Sequence, residues 1–330
     1  GWGVRADISQ PIYNGGRYTT LAEQSEYRLL SAESLKDKSV IDVRYSAESA
    51  YWALSRAEIY REAMYDYINI VTTLKDVALH RYEEGYTSKS DLLQVESRLS
   101  DAEYQLSLAE QRWRIALNNF NVLRGMTPDS SVELLWSILD DYTMPQRAVL
   151  TDVVEHHPDY RGSVANRESA LLDISLRRAK YLPSLNLGVF GLWQPKVGSG
   201  TMLNGGVALS LSTPIFHFGE RRKAIRSAES IYRSAELAVD NVVDRIILDE
   251  SNGWTNLQST HMRVNSSIQN LEIAKENLDI STYSYREGLA TILDVLQAQL
   301  SWLQIFQNTI SAQYDYAMAI SAYRYIVALY

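Results

Sequence analysis

The feature that most constrains this 330-residue chain is a repeat at a fixed offset of 203 positions. Tyr-Glu-Glu-Gly at 82–85 recurs as Tyr-Arg-Glu-Gly at 285–288. The same offset relates further pairs: Pro11-Ile12-Tyr13 and Pro214-Ile215-Phe216, Gly16 and Gly219, Ser31-Ala32-Glu33 and Ser234-Ala235-Glu236, and Asp91 and Asp294. Loops change length more readily than packed elements do. A repeat without insertion or deletion therefore predicts one long, rigid element that is present twice.

Two long segments lack the residues that interrupt helices. No Gly or Pro occurs from 17 to 84, and Gly253 is the single one from 220 to 287. Both segments carry apolar residues at three- and four-residue spacing, which is the pattern of an amphipathic helix. At 1.5 Å per residue, each predicted helix of about 65 residues is roughly 100 Å long.

Gly85 and Gly288 end these long helices, and shorter helices are predicted to return over about 90–124 and 292–330. Each repeat is therefore a predicted helical hairpin whose turn lies at the Tyr-x-Glu-Gly motif. The repeat suggests three regions along the chain. A first repeat covers 1–125, a connector with equatorial helices covers 126–180, and a second repeat covers 181–330.

Three stretches alternate apolar and polar residues, which predicts strands: 2–10, 185–190 and 207–212. The first and the third are repeat partners. The partner of the second stretch would begin near position −20, since its introducing Pro183 lies 203 positions further on. We therefore expect a further strand, and an export signal, to precede residue 1.

The predicted strands are close to the length that crosses a bilayer when tilted. Three or four strands cannot close a barrel, and open edges in lipid would leave backbone groups unpaired. Closure would have to come from other copies of the chain, and four strands from each of three copies would make twelve. The alternative is a small soluble sheet that caps a helical bundle.

Composition excludes several classes of protein. The chain has no Cys, which excludes disulfide scaffolds, thiolate metal sites and Cys nucleophiles. A net charge of −8 without a basic stripe argues against nucleic-acid binding. The 22 Tyr and 7 Trp suit membrane–water boundaries, although core packing would also account for them.

Several motifs together resemble the TolC-type outer-membrane efflux proteins (outer-membrane factors). They are Ser9–Arg17 and Thr213–Gly219 at the strand-to-helix junctions, His157–Arg161 with Ala179–Leu187 between the halves, Asn118–Gly125 at the end of a returning helix, and Tyr285–Ala298 at the hairpin tip. Each motif is weak alone, but their order and spacing cover nearly the whole chain.

The resemblance implies a mainly α fold with a small β part. Long antiparallel hairpins in two repeats would be joined to strands that contribute to a trimeric outer-membrane β-barrel. It further implies a homotrimer that contacts outer-membrane lipid, a periplasmic adaptor protein and an inner-membrane pump. Such a protein would be a passive exit duct of a tripartite efflux or type I secretion system, gated at its periplasmic tip and needing no cofactor.

By the same resemblance, Asp294 lines the closed tip, where three symmetry-related carboxylates would repel each other or bind cations. The family's arginine and second aspartate are replaced here by Ala290 and Gln297. The alternative role for Asp294 is a helix-terminal residue stabilised by the dipole, which we assign to Asp91. Tyr285 would form a hydrogen bond between helices of the closed state, or else only pack.

The resemblance also makes the exposed tips the docking sites for adaptor hairpins. The residues concerned are Gly85, Tyr86 and Thr87 in the first hairpin and Gly288, Leu289 and Ala290 in the second. Both glycines are expected where the turn needs a positive φ.

No catalytic or metal site is predicted. Glu155-His156-His157 has no third ligand at helical spacing, so we interpret it as a helix end before Pro158. His80, His217 and His261 are isolated in the sequence, and no nucleotide-binding glycine motif occurs. An enzyme is therefore not expected. The competing function is a non-channel periplasmic coiled-coil scaffold.

Overall fold

The computed structural model describes residues 3–138, 143–195, 201–216 and 218–328. It is mainly helical with one small antiparallel sheet, which confirms the predicted fold class. In chain order the elements are β1 (Val4–Tyr13), α1 (Arg17–Glu83), α2 (Lys89–Leu123), α3 (Leu150–His156), α4 (Pro158–Ala179), β2 (Ser184–Pro195), β3 (Thr201–Ser212), α5 (Glu220–Arg286) and α6 (Ile292–Ile326).

The corresponding helices of the two hairpins are equal in length. The outgoing helices α1 and α5 are 67 residues each, and the returning helices α2 and α6 are 35 residues each. The gap-free repeat of the sequence is thus a repeat of element lengths. Within the described residues, no helix combines the length and the apolar character that a membrane span requires.

The sheet has the order β1-β2-β3, with β2 in the middle and antiparallel to both neighbours. All three strands are longer than the alternating stretches that predicted them, and Trp2 lies outside the described residues. β1 continues through Pro11, opposite Asn186, and its register shifts between Pro11 and Tyr13. Pro is tolerated there because β1 is an edge strand, where a missing N–H donor breaks no ladder.

The register places most of the apolar residues of the sheet on one face, although Phe190, Leu192 and Met202 lie on the other. Ile8 lies opposite Val189, which in turn lies opposite Val207. This apolar face is not covered, because Ile8 is 72% exposed, Leu203 77% and Val207 71%. Alternation in the sequence correctly predicted a one-sided sheet.

The chain forms two compact units, Gly1–Ser39 with Thr151–Ile247 and Val40–Leu150 with Leu248–Tyr330. The sheet, α4 and the first parts of α1 and α5 belong to the first unit. An ion pair between Lys38 Nζ and Asp159 Oδ1 at 2.7 Å joins α1 to α4 there. The predicted division at 125 and 180 follows the repeat along the sequence and stays a prediction.

The second unit has a hydrophobic core at the turn end of its hairpins. Its buried members are Met64, Tyr67, Val71, Leu74, Ala78, Leu92, Val95, Ala102, Ala109, Tyr285, Ile292, Val295 and Leu296. They come from α1, α2, α5 and α6, so both hairpins share one core.

An ion pair between the half-exposed Arg147 and the buried Glu250 joins the connector before α3 to the second hairpin. Glu250 on α5 accepts hydrogen bonds from Arg147 Nε at 3.0 Å and Nη2 at 2.7 Å, and from the Tyr323 hydroxyl at 2.8 Å. The bond from Arg147 is the main reason that the pKa of Glu250 lies below its usual value. Gly253 follows, and a Cβ there would lie 2.8 Å from Ile326 Cδ1, so this glycine lets α5 and α6 approach closely.

Candidate functional site at the hairpin tips

The turn of the first hairpin is a Schellman motif centred on Gly85. The N–H of Tyr86 donates to the carbonyl of Arg81 at 2.7 Å, and the N–H of Gly85 donates to the carbonyl of Tyr82 at 3.0 Å. Gly85 has φ +78°, which a residue with a Cβ adopts only with strain. This pattern satisfies the last carbonyls of α1 and reverses the chain.

The turn of the second hairpin repeats this backbone. The N–H of Leu289 donates to the carbonyl of Ser284 at 2.8 Å, and the N–H of Gly288 donates to the carbonyl of Tyr285 at 3.0 Å. Gly288 has φ +76°. The shared Tyr-x-Glu-Gly sequence therefore corresponds to a shared turn.

Each returning helix begins with a capping box. In the second hairpin, Asp294 Oδ2 accepts from the Thr291 N–H at 2.8 Å and from the Thr291 hydroxyl at 2.7 Å. In the first, Asp91 Oδ2 accepts from the Thr87 hydroxyl at 2.7 Å and from the Ser88 N–H at 3.2 Å. Both boxes satisfy N–H groups that a helix start leaves free.

These hydrogen bonds favour the charged carboxylates. The Thr291 hydroxyl and then its N–H hold the pKa of Asp294 below its usual value. The Thr87 hydroxyl does the same for the pKa of Asp91. Asp294 is exposed at the tip, is charged at neutral pH and has the helix-capping role that the sequence left as an alternative, while its role in a gate stays a prediction.

Tyr285 is 3% exposed and packs in the shared core, in contact with the end of α1. The guanidinium of Arg81 lies over its ring, 4.8 Å from the centroid. Arg81 Nη1 also donates to the backbone carbonyl of Tyr285 and, at 3.5 Å, to that of Arg286. Arg81 therefore joins the end of α1 to the end of α5.

Sequence reasoning missed Arg81. A basic residue in the last turn of a helix usually interacts with the carbonyls of its own helix. Here the carbonyls belong to another helix, and no signal near position 81 reveals that. Among the described residues, the Tyr285 hydroxyl has no hydrogen-bond partner, so its predicted bond between helices stays a prediction.

The docking residues predicted from the resemblance lie in the two turns. Tyr86 and Leu289 are largely exposed, and Thr87 and Ala290 are half-buried. The two turns are neighbours, because a Cβ on Gly288 would lie 3.7 Å from Arg81 Nη2. The fold thus brings the predicted gate and docking residues together at one end of the second unit.

Gln299 lies behind the tip and is fully buried. Both polar atoms of its amide lack a partner among the described residues. It faces a cavity of about 280 Å³ that α1 and α5 also line. The cavity is large enough for ordered water, which would satisfy the amide.

The histidines form no metal site in the described part of the chain. His157 caps α4, accepting from the Asp159 N–H at 3.1 Å, and His156 Nδ1 lies 2.9 Å from the carbonyl oxygen of Asp152. No group of three or more potential His, Cys, Asp or Glu ligands occurs among the described residues. His217 lies outside them.

Comparison with known proteins identifies the family. The family model described as "Outer membrane efflux protein" matches residues 1–125 and 149–324. Nodulation protein T of Rhizobium leguminosarum bv. trifolii is 25% identical over 233 residues, which are 67% of this chain and 49% of that protein. The pyoverdine export outer membrane protein OpmQ of Pseudomonas putida is 25% identical over 312 residues, covering 86% of this chain and 61% of that protein.

The fold is also found in solved structures. The outer membrane protein VceC of Vibrio cholerae matches with a TM-score of 0.82 and 19% identity, over 98% of this chain and 79% of VceC. The chain spans about half of the length of nodulation protein T and about three-fifths of OpmQ, at 49% and 61%. The family model covers most of the chain, so the protein belongs to the outer membrane efflux protein family, as the motifs predicted.

Proposed function

We propose that this protein is the outer-membrane exit duct of a tripartite efflux or type I secretion system and that it conducts cargo passively. It lies in the cell outer membrane of a Gram-negative bacterium and extends into the periplasm. The observation that carries this proposal is the uncovered apolar face of the sheet, with Ile8, Leu203 and Val207 all more than two-thirds exposed. Family membership supports it independently.

Water is a poor solvent for that face. Leaving apolar surface in water forfeits about 25 cal/mol per Å², which burial in lipid would recover. The outer edges of β1 and β3 raise a second requirement, because an unpaired backbone group in hydrocarbon costs several kcal/mol. Strands from other copies would satisfy these edges. A homotrimer closed into one barrel meets both requirements.

A non-channel periplasmic scaffold is the weaker function. It would use the hairpins and their shared core, but it would leave the apolar sheet face in water. A scaffold of that kind has no need for strands that are 10 to 12 residues long with one apolar side. The outer-membrane duct uses the sheet and the hairpins together.

We assign the gate and the docking surface to the hairpin tips. Three copies of the charged Asp294 would converge at the entrance and form an acidic ring, and cations bound by the three carboxylates would offset their repulsion and hold the pore narrow. The periplasmic adaptor would dock on Gly85, Tyr86 and Thr87 and on Gly288, Leu289 and Ala290. The inner-membrane pump supplies the energy, and its engagement swings the second hairpin outward with Tyr285.

Planar-bilayer recording of the full-length protein tests this function. We expect trimers in the outer-membrane fraction that insert into bilayers and conduct weakly. Asp294→Ala should raise the conductance several-fold, because the acidic ring is lost. Asp91→Ala is the matched control, since it removes the equivalent capping carboxylate from the first hairpin. Equal conductance of the two variants would contradict the gate, and a water-soluble monomer would contradict the channel.

A further inference from the structure

Basic side chains from two separate segments meet where the sheet joins the helices. The first segment, 173–182, contains the end of α4 at Ala179, and the second segment, 218–229, contains the beginning of α5 at Glu220. The two segments touch, because Lys180 Nζ lies 3.2 Å from Glu220 Oε1 and Arg178 Nη2 lies 3.6 Å from Glu229 Oε1. We name this surface the basic collar: Arg177, Arg178, Lys180, Arg221, Arg222, Lys223 and Arg226.

The collar has an excess of positive charge. Its two segments hold seven basic and three acidic side chains, whereas the whole chain has a net charge of −8. All three acids are already paired, with Arg177, Arg178 and Lys180. Of the cations, Arg221, Arg222, Lys223 and Arg226 have no carboxylate within ion-pair distance in the described ranges. Since the charges are split between segments some 40 residues apart, the sequence shows no basic stripe.

Three arginines of the collar share a shallow groove. Arg221, Arg222 and Arg226 line about 440 Å³ of space together with Gly219, Ile225 and Glu229. Guanidinium groups donate paired hydrogen bonds to phosphate oxygens, and Gly219 leaves the backbone open beside them. Glu229 also lines the groove, but its carboxylate forms an ion pair with Arg178. An anion in the groove would therefore lie beside the unpaired cations of the three arginines.

Exposed aromatic residues separate the collar from the strands. Phe216 and Phe218 follow β3, are both largely exposed, and pack edge to face with ring centroids 4.5 Å apart. Phe218 has φ +46°, a strained conformation for a bulky residue. Along the chain the order is therefore an apolar strand face, aromatic rings and unpaired cations. A membrane presents hydrocarbon, interface and headgroups in the same order.

We propose that the basic collar binds the anionic headgroups of glycerophospholipids in the leaflet nearest to the helices. This inference rests on the proposed function, which puts the sheet in the bilayer. The phosphodiester contacts Arg221, Arg222 and Arg226, and the acyl chains pack against Phe216, Phe218 and the apolar sheet face. The collar thereby fixes the depth of the protein in the membrane.

Native mass spectrometry of the full-length protein in detergent tests this proposal. The protein is titrated with dioleoyl phosphatidylglycerol or, separately, with dioleoyl phosphatidylethanolamine. We expect preferential binding of phosphatidylglycerol. Each removed cation should weaken it about fivefold, so the triple variant R221Q/R222Q/R226Q should lose about a hundredfold. The variant R221K/R222K/R226K keeps the charge but not the paired hydrogen bonds, so its binding should lie between that of the wild type and that of the glutamine variant.

The matched control R114Q/R263Q/K275Q removes three exposed cations that lie outside the collar, and it should bind like the wild type. Equal affinity for the two lipids, or an unaffected glutamine variant, would overturn the proposal. Tighter binding of lipid A than of phosphatidylglycerol would overturn the assignment to glycerophospholipid. Bilayer conductance of the same preparations separates the two hypotheses. Conducting protein without lipid preference contradicts only the collar, and non-conducting protein contradicts the channel.

Discussion

The two hairpin tips share a sequence motif and a backbone, yet their tyrosines have opposite environments. Tyr82 in the first tip is 39% exposed, whereas its repeat partner Tyr285 is 3% exposed. Both residues precede a glycine of positive φ and a capping box with Asp91 or Asp294. Local sequence therefore determines the turn, and the neighbouring helix determines what the turn can do.

Arg81 contributes to this asymmetry. Its guanidinium lies over the Tyr285 ring and donates to the end of α5. The repeat partner of Arg81 is Ser284, which has no such reach. The first hairpin thus supplies a cation to Tyr285, whereas among the described residues no cation of the second hairpin lies over Tyr82. The two copies of the repeat therefore differ in role, because the tip of the first hairpin contacts and stabilises the tip of the second.

The largest expected effect comes from truncating the buried tyrosine. Tyr285→Ala should lower the free energy of unfolding by about 3–5 kcal/mol, because a large aromatic side chain leaves the shared core. Tyr82→Ala should change it by about 0.5 kcal/mol or less, because half-exposed surface residues contribute little. Denaturant titration followed by circular dichroism measures both. Similar losses at the two positions would refute the asymmetry.

Tyr285→Phe refines this prediction by removing only the hydroxyl. That group is buried without a partner among the described residues, so its removal should not destabilise the isolated chain. If the hydroxyl bonds to a neighbouring helix in the closed state, Tyr285→Phe should raise conductance while the stability of the isolated chain is unchanged. Unchanged conductance would mean that Tyr285 only packs in the core.

The hairpin fold could be predicted because its signals are local. Gly85 and Gly288 mark the turns, and the absence of Gly and Pro marks the long helices. The predicted helix ends lie within a few residues of Glu83 and Arg286. The strand ends were predicted less accurately, because β1 continues through Pro11 by pairing at a sheet edge. That pairing depends on β2, which is remote in sequence.

The site was only partly predictable for the same reason. Asp294 and Tyr285 could be singled out by resemblance, and their turn could be inferred from Gly288. The burial of Tyr285 could not be predicted, because Tyr82 opens the same Tyr-x-Glu-Gly motif and is exposed. Arg81 lies 204 residues from its partner Tyr285, and only the packing of α1 against α5 brings the two together.

The next largest effect concerns the turn glycines. Gly85→Ala and Gly288→Ala should each cost about 1–2 kcal/mol of stability, since both glycines have a positive φ that disfavours a Cβ. A Cβ meets nothing within 4 Å at Gly85 and makes only an ordinary contact with Arg81 at Gly288. The two losses should therefore be equal in the same denaturant titration. A much larger loss at Gly288 would mean that the second turn is crowded.

Arg81→Gln should have a smaller effect on stability and a distinct effect on conductance. Losing a half-exposed cation over a buried ring costs about 1 kcal/mol or less. Because Arg81 holds the second tip, planar bilayers should show more frequent opening of the variant channel. Ser284→Gln is the control, as it makes the same residue at the repeat position. More frequent opening in both variants would show that opening does not depend on the contact between Arg81 and Tyr285.

The smallest effect should be acid sensitivity, where the two tips are expected to agree. Hydrogen bonds lower the pKa of Asp91 and of Asp294, so each capping box stabilises the fold above the usual aspartate pKa. That stabilisation is lost only as the pH falls through the lowered values. Helix content and tip packing should thus be constant from neutral pH to about pH 5. Asp91→Asn and Asp294→Asn should remove equal parts of the transition at lower pH. Converging carboxylates in a trimer would raise the pKa of Asp294 by mutual repulsion, so earlier titration of the second tip would separate a gate from a helix cap.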